Sequence, residues 1–300
     1  MNITSITHMS CEQMTAILDK AEIYLKKIQA KEDIPETLKG KVILNAFFED
    51  STRTRVSFEM AAYRLGAHVI PFSVASSSLK KGEAVIDTLQ TLGAMHPDAF
   101  VVRATQGDMP RLAEEHIGCP VLNAGNGTYE HPTQALLDAL TIRNYFGRLD
   151  GLRIAICGDI KHSRVAGSNI LLLQEFGAEL RLVGPEDLLP TTRDENIVYE
   201  TDFAQGIAGA DVVMMLRIQK ERLETKLNYT DAVYFSEYGL TQERLKKHAP
   251  TAMVMHPGPM NRDIEIAGDV ADDLEKSLIL KQVEAGVAVR MACLEAAILN

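Results

Sequence analysis

Short apolar runs alternate with helical patterns along most of the chain. The runs begin at residues 42, 68, 99 and 120 in the first half and at 152, 180, 211 and 252 in the second. Between them, apolar residues recur at helical spacing, as at Phe58, Ala61, Ala62 and Leu65. Strands of this length that alternate with helices are typical of mainly parallel α/β sheets. We therefore expect two α/β domains, each with a core and flanking helices, with a break near residues 144–151.

Both ends of the chain are predicted to be helical. Ser10 followed three residues later by Gln13 is a capping-box pattern, and apolar residues then recur at helical spacing as far as Ile28. Apolar residues from Val283 to Ile298 also show helical spacing. Periodicity leaves open which domain this last helix joins.

Net charge, cysteine spacing and the absence of long apolar runs indicate which binding partners and which compartment to expect. The formal net charge of −10 disfavours binding to nucleic acid or to an acidic membrane, because both need a basic face. The four cysteines, Cys11, Cys119, Cys157 and Cys293, are far apart, with no C-x-x-C pair and no zinc-like spacing. There is no secretory signal pattern, and 18 consecutive apolar residues occur nowhere. We expect a cytoplasmic protein with reduced thiols and no metal site.

The stretch E-D-S-T-R-T-R-V-S-F, residues 49–58, concentrates hydrogen-bond donors where a strand is predicted to end. The buried stripe that starts at Phe58 places residues 51–54 in the first turn of the next helix. The N–H groups of a first turn have no intrahelical partner, and the macrodipole is positive there. This pattern favours an oxyanion site. The alternative is a surface helix with solvated arginines, in which Arg55 pairs with Glu59.

Two common phosphate-binding motifs are absent from the sequence. There is no G-x-x-x-x-G-K-[ST], and the turn after the strand at 152 reads G-D-I-K-H-S-R rather than G-x-G-x-x-G. ATP and NAD are therefore poor candidates for a ligand.

Seven motifs, in order, resemble those of aspartate carbamoyltransferase catalytic chains. They are S-T-R-T-R at 51, S-L-K-K-G-E at 78, V-V-R at 101, H-P-T-Q at 131, G-D-x-x-x-S-R ending at Arg164, L-R-I-Q-K-E-R at 216 and H-P-G-P at 256. The resemblance runs nearly end to end, and the ordered set is more specific than any single motif. It implies transfer of the carbamoyl group of carbamoyl phosphate to the amino group of L-aspartate, in pyrimidine biosynthesis, with no metal or organic cofactor. It also implies a carbamoyl-phosphate-binding domain of residues 1–132 and 285–300 and an aspartate-binding domain of residues 133–284, with the C-terminal helix returning to the first.

The resemblance assigns roles around carbamoyl phosphate. The phosphate would be held by Ser51, Thr52, Arg53, Thr54 and Arg103. The carbamoyl oxygen, where negative charge develops, would accept from Thr54, Arg103 and His131. The carbamoyl NH2 would be held by Gln134 and the backbone of the 256–259 turn, including Gly258 and Pro259. A histidine that only caps a helix and a strand-end surface arginine are the structural alternatives for His131 and Arg103.

The resemblance also assigns the aspartate site and an oligomeric state. Arg164 and Arg217 match two carboxylate-binding arginines, with Gln219 beside the second, and guanidinium groups suit bidentate carboxylate binding. The serine and lysine that match Ser78 and Lys81 reach into the site of the adjacent subunit, where Lys81 would contact both substrates. A homotrimer with shared active sites is therefore implied. Composition alone equally allows a polar surface turn at residues 76–83.

Two other functions compete with this interpretation. Ornithine carbamoyltransferase shares the phosphate motif and the fold, but it carries a cysteine where this chain has Pro257 and lacks the pattern that supplies Arg217. A catalytically inactive scaffold would be expected to lose Arg53, Lys81 or His131, and all three are present. The chain departs from many relatives at Asp263, where glycine is expected. The sequence leaves open whether a regulatory chain or a dihydroorotase-like partner associates.

Overall fold

The computed structural model describes residues 1–73, 82–219 and 229–299. It divides into two compact units, one of Met1–Leu140 with Glu284–Asn300 and the other of Thr141–Val283. The first division falls inside the helix α5 (Pro132–Phe146), later than the predicted boundary at 132/133 and earlier than the break near 144–151.

The first unit contains a parallel four-stranded sheet. Its strands are β1 (Val42–Phe47), β2 (His68–Ser73), β3 (Ala99–Ala104) and β4 (Val121–Asn126), in the order β2-β1-β3-β4. Its helices include α1 (Cys11–Ala30), α2 (Thr52–Arg64), α3 (Val85–Gly93) and α4 (Met109–His116). On one face of the sheet, Leu44, Phe100 and Val102 pack with Leu89 and Met109 into a buried core.

The first helix forms as its pattern predicts. Ser10 caps α1 by accepting from the Gln13 N–H, and the Gln13 side chain accepts from the Ser10 N–H, so both halves of the capping box are present. The helix buries Met14, Ile17 and Leu18 among others, and the residue that follows it, Lys31, is left-handed and caps its C-terminus. The predicted amphipathic helix is confirmed.

The second unit contains a parallel five-stranded sheet. Its strands are β5 (Arg153–Cys157), β6 (Glu179–Val183), β7 (Val198–Glu200), β8 (Val212–Met215) and β9 (Met253–Met255), in the order β7-β6-β5-β8-β9. Its helices include α6 (Arg164–Glu175), α7 (Phe203–Ile207), α8 (Asp231–Tyr238), α9 (Gln242–His248) and α10 (Gly268–Ala271). Sequence periodicity missed β7, a three-residue edge strand whose Val198 is 54% exposed.

The last helix, α11 (Ile279–Leu299), joins the first unit from Glu284 onward, which confirms that the C-terminal helix returns to the first domain. Glu295 accepts from the Tyr24 hydroxyl and pairs with Lys20 of α1 at 3.2 Å. The predicted apolar stripe is wrong at Val283, which is 51% exposed because the helix buries Ala285, Ala288 and Val289 instead.

No helix in the described part of the chain is long and apolar enough to cross a membrane. Within the same residues, no group of three or more His, Cys, Asp or Glu side chains is arranged to hold a metal ion.

Candidate active site

The first group of predicted site residues lies where β1 leads into α2. Ser51 occupies the N-cap position with extended backbone (φ −160°, ψ 109°), and its side chain makes no capping hydrogen bond. The first N–H groups of α2 are therefore not capped by the Ser51 hydroxyl, and the helix dipole places partial positive charge at this end. Thr54 is buried, Ser51 is partly buried, and Thr52 and Arg53 are exposed. This junction can bind an oxyanion, as the pattern predicts.

Arg103 joins this junction from the neighbouring strand. It stands opposite Phe47 in the β1–β3 register, so both strands deliver their carboxyl ends to the same edge. Its Nε donates to Glu49 Oε1 at 2.6 Å, and its Nη1 donates to Thr54 Oγ1 at 3.3 Å. Because the Thr54 hydroxyl oxygen accepts from Arg103, its own proton is directed elsewhere and can be donated to a ligand. Arg103 is thus a positioned cation rather than a solvated surface arginine.

Glu49 was not assigned a role from sequence. It forms a mostly buried ion pair with Arg103, and that pair fixes the plane of the guanidinium. Glu49 is the first residue of the donor-rich stretch 49–58, but its partner Arg103 lies 54 positions further along the chain, so the sequence did not indicate the pair.

His131 and Gln134 begin the next element at this edge of the sheet. His131 is buried directly before Pro132, the first residue of α5, after the carboxyl end of β4. The Gln134 Nε2 donates to the buried Asp138 Oδ1 at 2.9 Å. With its NH2 engaged by a carboxylate, Gln134 presents Oε1 as an acceptor, which suits an amide NH2. Asp138 is a second residue that sequence reasoning missed.

One feature of the alternative interpretation of α2 as a surface helix, the pairing of Arg55 with Glu59, is present in the structure. Arg55 Nε lies 3.8 Å from Glu59 Oε1 one turn later, and both side chains are substantially exposed. Arg55 therefore takes the surface pairing, one position away from the residues assigned to the oxyanion.

The second group of site residues lies at the carboxyl ends of β5 and β8. Gly158 turns the chain out of β5 with φ +126°, and a Cβ there would stand 2.3 Å from the Leu216 carbonyl oxygen, so only glycine fits. Ser163 then caps α6 by accepting from the Ala166 N–H, and Arg164, the first residue of that helix, is buried. Arg217 follows β8 and donates from Nη1 to its neighbour, the Ile218 carbonyl, at 3.3 Å.

Asp159 ties these two loops together. Its buried carboxylate accepts from His162 Nδ1 at 2.8 Å and from the Gln219 backbone N–H at 3.0 Å. The Gln219 Nε2 donates to the His162 carbonyl at 3.0 Å. The structure thus gives Gln219 a bridge between the β5 and β8 loops. Asp159 was missed as a site residue although it belongs to the G-D-x-x-x-S-R motif.

The H-P-G-P turn follows β9 and is held from several directions. The Gly258–Pro259 peptide is cis, and Gly258 has φ +65°. His256 Nδ1 accepts from the Gly258 N–H at 2.8 Å, while Nε2 lies 3.1 Å from Glu265 Oε1. Since Nδ1 is an acceptor, the imidazole proton is on Nε2, which donates to Glu265. The turn can therefore present its carbonyls in a fixed direction.

Asp263 adopts φ +60°, the left-handed conformation that favours glycine. The residue that departs from the expected glycine thus keeps the backbone conformation of a glycine, because aspartate tolerates the left-handed region better than most residues.

Within each unit, the structure brings the predicted residues to one sheet edge. In the first unit these are Ser51, Thr52, Arg53, Thr54, Arg103, His131 and Gln134, and in the second they are Arg164, Arg217, Gln219, Gly258 and Pro259. Carboxyl ends of parallel strands are where open α/β sheets bind ligands. Ser78 and Lys81 lie outside the described residues.

Comparison with known proteins gives consistent matches to both units. Residues 1–144 match the model of the aspartate/ornithine carbamoyltransferase carbamoyl-P binding domain, and residues 150–297 match that of the Asp/Orn binding domain. The aspartate carbamoyltransferase catalytic subunit of Rhodospirillum rubrum is 53% identical over 284 residues, covering 94% of this chain and 89% of that protein. The Gluconobacter oxydans catalytic subunit is 52% identical over 296 residues, covering 98% and 94%.

Solved structures agree with these sequence matches. Aspartate transcarbamoylase from Trypanosoma cruzi, in complex with carbamoyl aspartate and phosphate, has a TM-score of 0.87 at 33% identity, covering 99% of this chain and 95% of that one. The catalytic subunit of M. jannaschii aspartate transcarbamoylase has a TM-score of 0.88 at 35% identity, covering 99% and 98%.

Proposed function

Because this chain belongs to the aspartate/ornithine carbamoyltransferase family, we propose that it transfers the carbamoyl group of carbamoyl phosphate to L-aspartate. The products are N-carbamoyl-L-aspartate and phosphate. Relatives at about half identity over nearly the whole chain carry this activity in their names. The observation that carries the proposal in the structure is the Arg103 guanidinium, held by Glu49 and bonded to Thr54 beside the N-terminus of α2.

The chemistry explains why this site consists of cations and amide groups. The uncharged amine of aspartate attacks the carbamoyl carbon, and negative charge collects on the carbonyl oxygen as the C–N bond forms. The C–O bond to phosphate then breaks, and the departing phosphate takes up the proton that the amine nitrogen loses. Both substrates are anions, so orientation and charge stabilisation dominate catalysis.

In the first unit, the phosphate binds to the N-terminal turn of α2 through Ser51, Thr52, Arg53 and Thr54, with Arg103 as a second guanidinium. Thr54 donates its hydroxyl proton to the carbamoyl oxygen, because its oxygen already accepts from Arg103. His131 and Arg103 donate to the same oxygen. Gln134 Oε1 accepts from the carbamoyl NH2, since the Gln134 amide nitrogen is bonded to Asp138.

In the second unit, Arg164 and Arg217 bind the carboxylates of aspartate. The Asp159 network holds the β5 and β8 loops in register, and Gln219 takes part in it. Two guanidinium groups suit a dicarboxylate and would repel the cationic side chain of ornithine. The turn that contains Gly258 and Pro259 offers backbone carbonyls as acceptors.

The acceptor decides between the candidate functions. Purified protein given carbamoyl phosphate with either amino acid is expected to form carbamoyl aspartate and an equal amount of phosphate, with little citrulline. Citrulline as the sole product would establish an ornithine enzyme, and no carbamoyl product would favour the inactive scaffold.

A homotrimer with shared sites is part of the proposal, together with a role in pyrimidine biosynthesis and a cytoplasmic location. The outer face of α2 supports self-association, because its Val56, Met60 and Tyr63 are exposed, Tyr63 by 82%, and exposed apolar patches mark interaction surfaces. The free state of all four cysteines fits a reducing compartment.

Subunit mixing tests the shared site. Lys81→Ala and Arg53→Ala proteins, each nearly inactive, are expected to regain part of the activity after dissociation and reassembly together. Hybrid trimers confirmed by mass spectrometry that stay inactive would contradict the sharing of Lys81.

A further inference from the structure

Arg290 on α11 is a buried guanidinium group in the first unit. It is 3% exposed, and its Nε has no hydrogen-bond partner among the described residues. Its Nη1 donates to Ser57 Oγ at 2.9 Å and to the Gly286 carbonyl at 3.1 Å, and its Cζ lies 5.2 Å from the centre of the Phe58 ring. Burying a charge costs more than burying an apolar side chain. Packing of α11 on α2 alone would be served better by leucine or methionine.

Gly286 makes this arrangement possible. A Cβ at that position would stand 2.7 Å from Arg290 Nη1 and 3.3 Å from Leu137 Cδ2. Any larger residue would displace the guanidinium from its contact with α2. Two residues of α11 are thus needed to bring one charge to this point.

Arg290 is electrostatically coupled to the phosphate half-site. Its pKa is lowered to about 10, mainly by burial and further by the charge of Arg103, against smaller opposing effects of Cys293 and Asp138. The group remains protonated at neutral pH. Asp138 also accepts from Gln134. The charge of Arg290 therefore interacts with Arg103 and with the carboxylate that holds Gln134, and both Arg103 and Gln134 are proposed to contact carbamoyl phosphate.

Ser57 connects Arg290 to the oxyanion-binding turn. It lies three residues after Thr54, one turn along the same helix, and residues at this spacing share a helix face. A hydrogen bond to Ser57 therefore fixes the rotation and height of the turn that presents Thr54 and the first N–H groups.

We propose that Arg290 is a positioning residue for carbamoyl phosphate. It orients the N-terminal turn of α2 through Ser57 and adds a buried positive charge to the unit that carries this turn. This inference rests on the proposed function, since it names a further determinant of the same site. No substrate contact is assigned to Arg290 itself.

Kinetics of Arg290→Met and Arg290→Lys test this role. For Arg290→Met, we expect the KM for carbamoyl phosphate and the inhibition constant of inorganic phosphate to rise about tenfold, because a buried charge is weakly screened. The KM for aspartate at saturating carbamoyl phosphate should change less than about twofold. Arg290→Lys keeps the charge and should recover part of the loss.

A control variant separates positioning from general packing. Tyr24→Phe removes the hydrogen bond between α1 and Glu295 of α11 but does not touch α2. It should lower thermal stability while leaving both phosphate-related constants within about twofold of the parent.

Folded Arg290→Met, with the circular dichroism and oligomeric state of the parent and unchanged phosphate-related constants, would overturn the proposal. If that variant does not fold, Ser57→Ala decides, because it removes the hydrogen bond and keeps both charges; an unchanged KM for carbamoyl phosphate would then refute the positioning role. Calorimetric binding of inorganic phosphate needs no turnover. Phosphate binding by the parent that is weakened in Arg290→Met supports the inference even if the parent forms no carbamoyl aspartate.

Discussion

Replacing Thr54 by valine removes one hydroxyl from the proposed oxyanion site and keeps the shape of the side chain. Thr54 is buried, and its Oγ1 accepts from Arg103 Nη1 at 3.3 Å. The proton of that hydroxyl is therefore available to the carbamoyl oxygen. Valine cannot donate it, while the helix start and the packing are retained.

The effects of Thr54→Val on catalysis and on folding differ in size. Loss of one preorganised donor to a developing oxyanion costs about 3 kcal/mol, or about a hundredfold in kcat. The ground state loses an ordinary hydrogen bond worth about 1 kcal/mol, so the KM for carbamoyl phosphate should rise less than about tenfold. Stability should fall by about 1 kcal/mol, because Arg103 loses this acceptor but keeps Glu49.

Initial rates of carbamoyl aspartate formation, at saturating concentrations of both substrates, measure the kcat term. Urea unfolding of the same preparations measures the stability term. Thr54→Ser is the matched control, because it keeps the hydroxyl and loses only a methyl group. A Thr54→Val enzyme with kcat within about threefold of the parent would refute the assignment, as would a Thr54→Ser enzyme that is equally impaired.

Three further outcomes are expected. In steady-state assays, Arg217→Lys should raise the KM for aspartate by about tenfold or more, because lysine cannot bind a carboxylate bidentately, and should leave the KM for carbamoyl phosphate nearly unchanged. Equal changes in the two KM values would contradict this assignment. Burial tends to raise the Asp98 pKa, but Lys41 and the Val42 N–H outweigh burial and lower this pKa below 3.8 in the folded protein. The ionised Asp98 therefore stabilises the fold above pH 3.8, and this stabilisation is lost as the pH falls through the pKa of the folded state. In urea titrations, Asp98→Asn should therefore be less stable than the parent at pH 7, with the difference vanishing well below pH 3.8, whereas a pH-independent difference would contradict the ion pair. Asp263→Val should destabilise by more than about 1 kcal/mol in the same titrations, because valine tolerates the left-handed backbone poorly, and Asp263→Gly should change stability by less than about 1 kcal/mol.

The elements that sequence predicted best are those whose signal is local. The helix start at Ser51 follows from the strand before it and the stripe from Phe58 after it, and both were present in one short segment. The strand at Val198 had no comparable signal, because three residues at a sheet edge show neither a buried run nor a sustained alternation.

The same distinction holds for the site. Arg103 and Thr54 were predicted from their motifs, but Glu49, which holds Arg103, depends on a contact across 54 positions. Asp159 binds a backbone N–H 60 positions away, and no spacing rule reports such a bond. Arg290 had a weak signal as the one charged residue between Glu284 and Glu295 of α11, but only the packing of α11 on α2 gave it a partner.

The central claim assigns carbamoyl phosphate to the α2 junction and aspartate to the loops after β5 and β8. Calorimetric titration of carbamoyl phosphate into the parent, Arg53→Ala and Arg217→Ala proteins tests it most directly. The account predicts at least about tenfold weaker binding for Arg53→Ala and binding within about twofold of the parent for Arg217→Ala. Unchanged binding by Arg53→Ala, or an equal loss in both variants, would contradict it.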